Sequence, residues 1–221
     1  MENQNKIWIV TLLLSVVAGY CDTVTFVSAG SIFSAHVTGN FIVFAYQLIK
    51  GSELQAWIKL LTFPVFIISV IVGGRIALKV ANPYKILLTE GAVLLLSGII
   101  SILFLRTTGL SWLSYIVVML AVFAMGLQNA FGKLYAKETF GPTTMMTGNV
   151  TQASLDLGTS IGSAFKDAVS KENLKKQSVV IGGFLLGCLA GAFAARQFGL
   201  SVLLLPGIGL IVCYLSNSNN K

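Results

Sequence analysis

Two neighbouring stretches, Ser178–Ala195 and Phe198–Leu215, carry no charged side chain and are separated only by Arg196 and Gln197. A third, Ile86–Leu105, is 20 residues long with Glu90 as its single charge. About 20 apolar residues are enough for a helix to cross a bilayer. A soluble chain of 221 residues would have to hide all of this in one core, yet only 10% of its residues are charged, against about 25% in soluble domains. Mean hydropathy is +0.84. Nothing alternates polar and apolar with period two, which argues against a barrel. The expected class is all-α, a polytopic bundle of transmembrane helices in contact with the lipid bilayer.

The net charge of +7 does not point to nucleic acid. Lys and Arg stand singly or in small groups between the apolar runs, as they do in the loops of membrane proteins. Cys21, Cys188 and Cys213 lie in or near apolar spans without CxxC pairing, so small packing residues are expected rather than a metal site or a disulfide framework. Lys6 followed by Ile7–Ala18 has the outline of a signal peptide. Tyr20 stands before Cys21 where a lipoprotein site wants a small residue, so a retained first helix is expected.

Eight apolar segments can be marked, at roughly 7–29, 31–49, 58–74, 86–105, 110–132, 143–163, 178–195 and 198–215. The longest polar break is Lys166–Gln177. An internal repeat organises them. Gly19-Tyr20-Cys21-Asp22 is echoed by Gly126-Leu127-Gln128-Asn129, and Thr38-Gly39-Asn40 by Thr147-Gly148-Asn149. Arg75 after Gly73-Gly74 matches Arg196 after Ala194-Ala195 more loosely. The units are 1–107 and 108–221, one membrane domain together, with the boundary near Arg106–Gly109.

Loop charges weigh two topologies. If all eight segments cross, the 15 basic residues divide 9 inside and 6 outside. If the two TGN segments are re-entrant, only Lys50, Lys59, Arg106 and Arg196 are outside, leaving 11 of 15 inside. The positive-inside rule favours the second arrangement. It has six spans, two re-entrant segments, cytoplasmic termini and repeats that are inverted, an architecture of transporters and channels. Eight crossing segments remain the alternative.

The candidate pathway residues follow from cost. Gly30-Ser31 and Gly141-Pro142 break helices before each TGN, and free backbone groups at depth are tolerated only in protein or beside water. Thr38, Asn40, Thr147 and Asn149 can cap the helices that follow, or simply pack them. Asn149, Gln152, Asp156, Thr159 and Ser163 are spaced along one helical face, and Asn40 and Gln47 occupy the matching face of the first unit. These faces are expected to converge in one polar region between the units. Asp22, with repeat partner Asn129, and Asp156 are candidates for a coupling ion, since intramembrane carboxylates are seldom idle. Glu90 stands within reach of Lys85. His36, the single histidine, can titrate near neutrality. Trp8, Trp57 and Trp112 open their segments, as interface belts do, and Arg75 and Arg196 read as snorkelling anchors. No nucleophile elbow, P-loop, zinc spacing or dinucleotide fingerprint occurs, so neither an enzyme nor a metal or organic cofactor is expected.

The ordered set G-Y-x-D, T-G-N, G-L-Q-N-A and T-G-N, here Gly19–Asp22, Thr38–Asn40, Gly126–Ala130 and Thr147–Asn149, resembles the YoaK family of uncharacterised bacterial membrane proteins. That resemblance implies a multi-pass protein of the bacterial cytoplasmic membrane with about six spans. Cys21 stands where the family would have a Val-like residue. It implies no substrate. The residues themselves suggest a small-solute or ion transporter or channel, with a membrane scaffold or partner-binding subunit as the alternative; a second copy of the chain, as a homo-oligomer, is a candidate partner.

Overall fold

The computed structural model describes residues 2–51, 53–105 and 111–218, and all of its regular structure is helical. The helices are α1 (Glu2–Ser28), α2 (Gly39–Ile49), α3 (Glu53–Lys79), α4 (Lys85–Ile100), α5 (Ser111–Leu134), α6 (Met146–Gly162), α7 (Ala168–Phe198) and α8 (Leu204–Ser218). A π-helical turn, Ser101–Leu105, extends α4, and a 3-10 turn, Gly199–Leu203, joins α7 to α8. Among the described residues, five stretches are long and apolar enough to cross a membrane: Gln4–Ser28, Ala56–Lys79, Lys85–Phe104, Trp112–Leu134 and Ala168–Asn217. The last contains both α7 and α8. The all-α, multi-pass expectation therefore holds.

The two TGN helices are different in kind. With 11 residues, α2 is about 16 Å long, half of a hydrocarbon core. With 17 residues, α6 is longer but exposes Thr151, Gln152, Ser154 and Thr159 among its apolar side chains.

Two expected loops are helical instead. Lys166–Gln177 forms the first turns of α7 from Ala168 onward. Asp167 caps it, accepting from Ser170 N at 3.0 Å, and Glu172 pairs with Lys176 one turn on at 2.7 Å. Cap, Lys/Glu/Leu propensity and an i,i+4 pair together outweigh the polarity that suggested a loop. The hydrogen bonds from Ser170 hold the Asp167 carboxyl below the usual carboxylate range. Likewise α3 begins at Glu53, so Lys59 is a helical residue 1% exposed, not a loop charge. In the second apolar segment the opposite occurs, since residues 31–38 are not helical. The expected unit boundary, at Arg106–Gly109, lies outside the described residues.

Small residues set how the long helices pack. A Cβ built on Gly19 would lie 2.1 Å from Phe184 O, and one on Gly187 would lie 2.2 Å from Val16 O. The backbones of α1 and α7 therefore touch, as glycine allows between membrane helices. Gly183 meets Leu12 and Ser15, Gly187 meets Val16 and Tyr20, and Gly191 meets Tyr20, so α1 and α7 run parallel. The pair α3 and α5 does the same, with Gly126 against Phe66 and Ser69 and Gly73 against Leu127 and Ala130. Ser69 also donates to Phe123 O. By contrast, α4 and α8 cross antiparallel: Gly91 meets Gly207, Leu210 and Ile211, while Gly98 meets Leu204.

Candidate functional site

The chain leaves α1 through Gly30 and Ser31, both left-handed at φ 64° and 63°. Ser31 has a Cβ, so this turn is strained, and side chains from neighbouring helices hold it. Asp22 Oδ1 accepts from Ala35 N at 2.7 Å and from His36 N at 3.2 Å. Asn40 reaches back to Phe33 with both ends of its amide. Its Oδ1 accepts from Phe33 N and its Nδ2 donates to Phe33 O, each at 2.9 Å. The same Nδ2 donates to Thr62 Oγ1 on α3 at 3.1 Å. These bonds satisfy backbone groups that have no helical partner.

The second turn is held by the corresponding side chains. Asn129 Oδ1 accepts from Thr144 Oγ1 at 2.7 Å, and its Nδ2 donates to Met125 O at 2.9 Å. Asn149 Nδ2 donates to Pro142 O at 2.6 Å and, more weakly, to Met145 O at 3.3 Å. Gln128 Nε2 donates to Thr143 Oγ1 and to Leu14 O of α1, both at 2.8 Å, joining the two halves.

Neither TGN caps its helix. Thr38 is the N-cap of α2 but makes no side-chain cap bond, and α6 starts at Met146, ahead of Thr147. Both asparagines point back to the incoming loop instead, because a buried carbonyl there is harder to satisfy than a helix N–H facing a cavity.

That cavity, of about 430 Å³, lies between the two elements. Ala35, His36, Val37 and Thr38 line it from the first half, with Phe63 and Phe66 of α3. Asn129, Pro142, Thr144, Met145, Thr147 and Gly148 line it from the second. A second cavity of about 400 Å³ shares Phe66, Asn129, Pro142, Thr144 and Met145 with it. The lining of the first holds an imidazole and hydroxyls but no carboxylate or ammonium, whereas Lys133 lines the second. The Asn129 and Thr144 side chains are spent on each other, leaving His36, Thr38 and Thr147, all exposed to the space, as its available polar side chains.

The sequence candidates thus fall into three groups. His36, Thr38, Asn129 and Thr147 meet at the cavity. Asp22, Asn40 and Asn149 are fasteners behind it, buried at 6%, 0% and 3% exposure. Gln47, Gln152 and Asp156 lie off the lining, so the expected convergence of Asn40, Asn149, Gln47 and Asp156 does not occur. The helix contacts say why: α2 packs on α3 and α6 packs on α7, with none between α2 and α6. The stripe on α6 is also narrower than its spacing suggested. Asn149, Asp156 and Ser160 are buried, whereas Gln152 and Thr159 are turned out to the flank. Gln152 Nε2 still bonds Asp156 Oδ2 at 3.0 Å.

Three polar residues carry more than the sequence reading assigned them. Gln128 belongs to the GLQN motif, which was the available signal. Lys59 is buried with its Nζ 4.0 Å from where a Gly30 Cβ would stand. Glu90 is 0% exposed and not paired with Lys85, whose ammonium lies 5.5 Å above the Tyr214 ring. Among the described residues no group of three His, Cys, Asp or Glu side chains could hold a metal ion.

Residues 10–216 match the family model described as a protein of unknown function, DUF1275. No curated protein and no solved structure gives a match. With nearly the whole chain covered and a polytopic apolar helix bundle as its fold, the protein is a member of the DUF1275 family of membrane proteins, the YoaK-like family that its ordered motifs resemble.

Proposed function

We propose that the protein moves a small solute across the membrane through the cavity between its two TGN elements, without enzymatic chemistry, in a fold of two inverted repeats. The cavity carries this reading. Two sequence-distant elements each break a helix at the same motif, and the polar side chains left over from fastening those breaks face one shared space. Its lining favours a small neutral or weakly polar solute, or an anion, because no fixed negative charge is present to attract a bare cation.

The packing supports the inverted arrangement. Gly187 on Val16 corresponds to Ser69 on Phe123, and Gly19 on Phe184 to Gly126 on Phe66. Gly91 and Gly207 face each other, and Ile211 lies against Gly91 as Leu95 lies against Gly207, the self-matching contact of a two-fold axis. Repeats related by an axis along the membrane normal would leave α4 and α8 parallel. Their antiparallel crossing fits an axis in the membrane plane. On this reading α7 and α8 each cross, giving six spans. The TGN helices enter from opposite faces and both termini are cytoplasmic. The correspondence also aligns Gly73 with Gly191, which removes the loose pairing of Arg75 with Arg196.

A thermal-shift screen of the purified protein over small metabolites and ions tests the solute site. A stabilising compound should lose its effect in Thr38→Trp and in Thr147→Trp, which fill the cavity from either side, and its flux into reconstituted vesicles should fall with it. Unchanged flux in both variants would exclude this route. For topology, Gly51→Cys should label only from outside intact cells and Ser163→Cys only from inside. Labelling of both from one side would rule out the inverted arrangement.

A further inference from the structure

Glu90 sits at the crossing of α4 and α8, directly before Gly91, which faces Gly207. It is 0% exposed, and neither carboxyl oxygen has a hydrogen-bond partner among the described residues. The elements packed against α4 are α3, α5, α8 and the turns Ser101–Leu105 and Gly199–Leu203. The 3-10 turn Gly199–Leu203 has no ionisable residue, α5 has none between Tyr115 and Lys133, and α3 has none between Lys59 and Arg75. From α8, Cys213 lies in electrostatic range, and from α1, Cys21 does. Asp22 follows Cys21 but is engaged with the amides of residues 35 and 36. Of the lysines near the ends of α4 and α1, Lys85 lies over Tyr214 and Lys6 over Tyr84, and neither forms an ion pair with Glu90.

A bare carboxylate in this setting has neither solvent, nor a donor, nor a counter-charge, so the closed crossing can hold Glu90 only in its neutral form. Releasing the proton requires water, and water can reach the group only if α4 and α8 part. The route is short: Glu90 lies five residues from Lys85, about 7.5 Å along the helix from its polar end.

We propose that Glu90 is a reversible proton-binding site, and that its proton keeps the Gly91–Gly207 crossing closed. The ligand is H⁺, taken up and released at one carboxyl oxygen with no other bond changed. The site is distinct from the TGN cavity and does not depend on what that cavity carries.

The chain supplies its own reporters, since Cys21 and Cys213 are buried free thiols within electrostatic range of Glu90. The test is N-ethylmaleimide alkylation of Cys213 in the full-length protein in lipid nanodiscs, across pH, in wild type and in Glu90→Gln, which keeps the neutral shape. The intrinsic rise of thiol reactivity with pH is common to both. An ionised Glu90 would by itself disfavour a neighbouring thiolate, the opposite of the expected effect. The wild-type to Glu90→Gln rate ratio should stay near one in acid, then rise about tenfold per pH unit above the titration point of the carboxyl. Infrared spectra of wild type with isotope-labelled glutamate should show a protonated acid band that outlasts the ionisation of the exposed glutamates and fades where the rate ratio levels off. This second measurement stands even if Glu90→Gln does not fold. A ratio flat across pH, or a labelled glutamate population wholly ionised where the crossing is closed, overturns the proposal.

Discussion

The two TGN elements share three residues of sequence and are fastened in unequal ways. In the first, Asn40 closes a ring on Phe33 by accepting from its N–H and donating to its C=O, then adds Thr62. In the second, Asn149 only donates, chiefly to Pro142 O. The cause is covalent: proline has no N–H to give, so the returning half of the ring is missing. By the correspondence proposed above, Val180 takes the place of Thr62 and offers no acceptor. The helix partner differs too. Asp22 accepts from two backbone amides, whereas Asn129 accepts from a hydroxyl. One element is thus clamped to its backbone and the other held by side chains. We expect the second to be the one that moves.

The largest test of that difference is Asn40→Ala against Asn149→Ala. Asn40→Ala leaves Phe33 N and Phe33 O without their partners in a buried place, takes from Thr62 the donor to its oxygen, and should cost about 3 kcal/mol of stability. Asn149→Ala frees one strong acceptor and should cost about 1 to 2 kcal/mol. Chemical unfolding of both variants in the same micelle measures the gap. Equal losses would mean that the ring on Phe33 adds nothing.

A smaller difference is expected one layer back. Asp22→Ala strands the amides of Ala35 and His36, at about 2 kcal/mol, while Asn129→Ala strands the Thr144 hydroxyl, which can rotate toward the cavity, at about 1 kcal/mol or less. Amide hydrogen exchange separates the two cases. Residues 35 and 36 should lose protection in Asp22→Ala, and no backbone amide should do so in Asn129→Ala.

How much of this could be read from the chain depended on the kind of signal. Apolar length placed the helices, because the bilayer demands about 20 residues whatever their order. The TGN repeats, each after a Gly-containing break, marked where two helices are interrupted. What failed was the reading of faces. Asn149, Gln152, Asp156 and Thr159 have helical spacing, but spacing cannot say which neighbour a face meets, and α6 turned only Asn149 and Asp156 of these inward. Counting Lys59 as a loop charge, and Lys166–Gln177 as a loop, follows from the rule that charge marks loops in membrane chains. In the second of these the Asp167 cap and the Glu172–Lys176 pair outweigh it, and Lys59 lies buried within α3. Glu90 was misread for a related reason: closeness to Lys85 in sequence suggested a pair, and the ammonium went to Tyr214.

The smallest expected effect is also the sharpest test of the comparison. Pro142→Ala returns the missing N–H to the second element. If proline alone separates the two fastenings, the new amide should donate to Asn149 Oδ1 as Phe33 N does to Asn40 Oδ1. The hydrogen bond would add about 1 kcal/mol, and losing the proline would remove about 0.4 to 1 kcal/mol by freeing the unfolded chain. The two largely cancel, so stability should change by no more than about 0.6 kcal/mol and cannot by itself decide the matter. Exchange can. The amide of residue 142 should be protected to the same degree as that of Phe33, and Asn149→Ala in the same background should abolish that protection. The cost of Asn149→Ala should also grow by about 1 kcal/mol when Ala replaces Pro142, a coupling that a double-mutant cycle reads directly. An unprotected amide at 142, with no coupling, would show that the second turn is shaped differently from the first for a reason beyond its proline. The asymmetry would then lie in the backbone of residues 139–145.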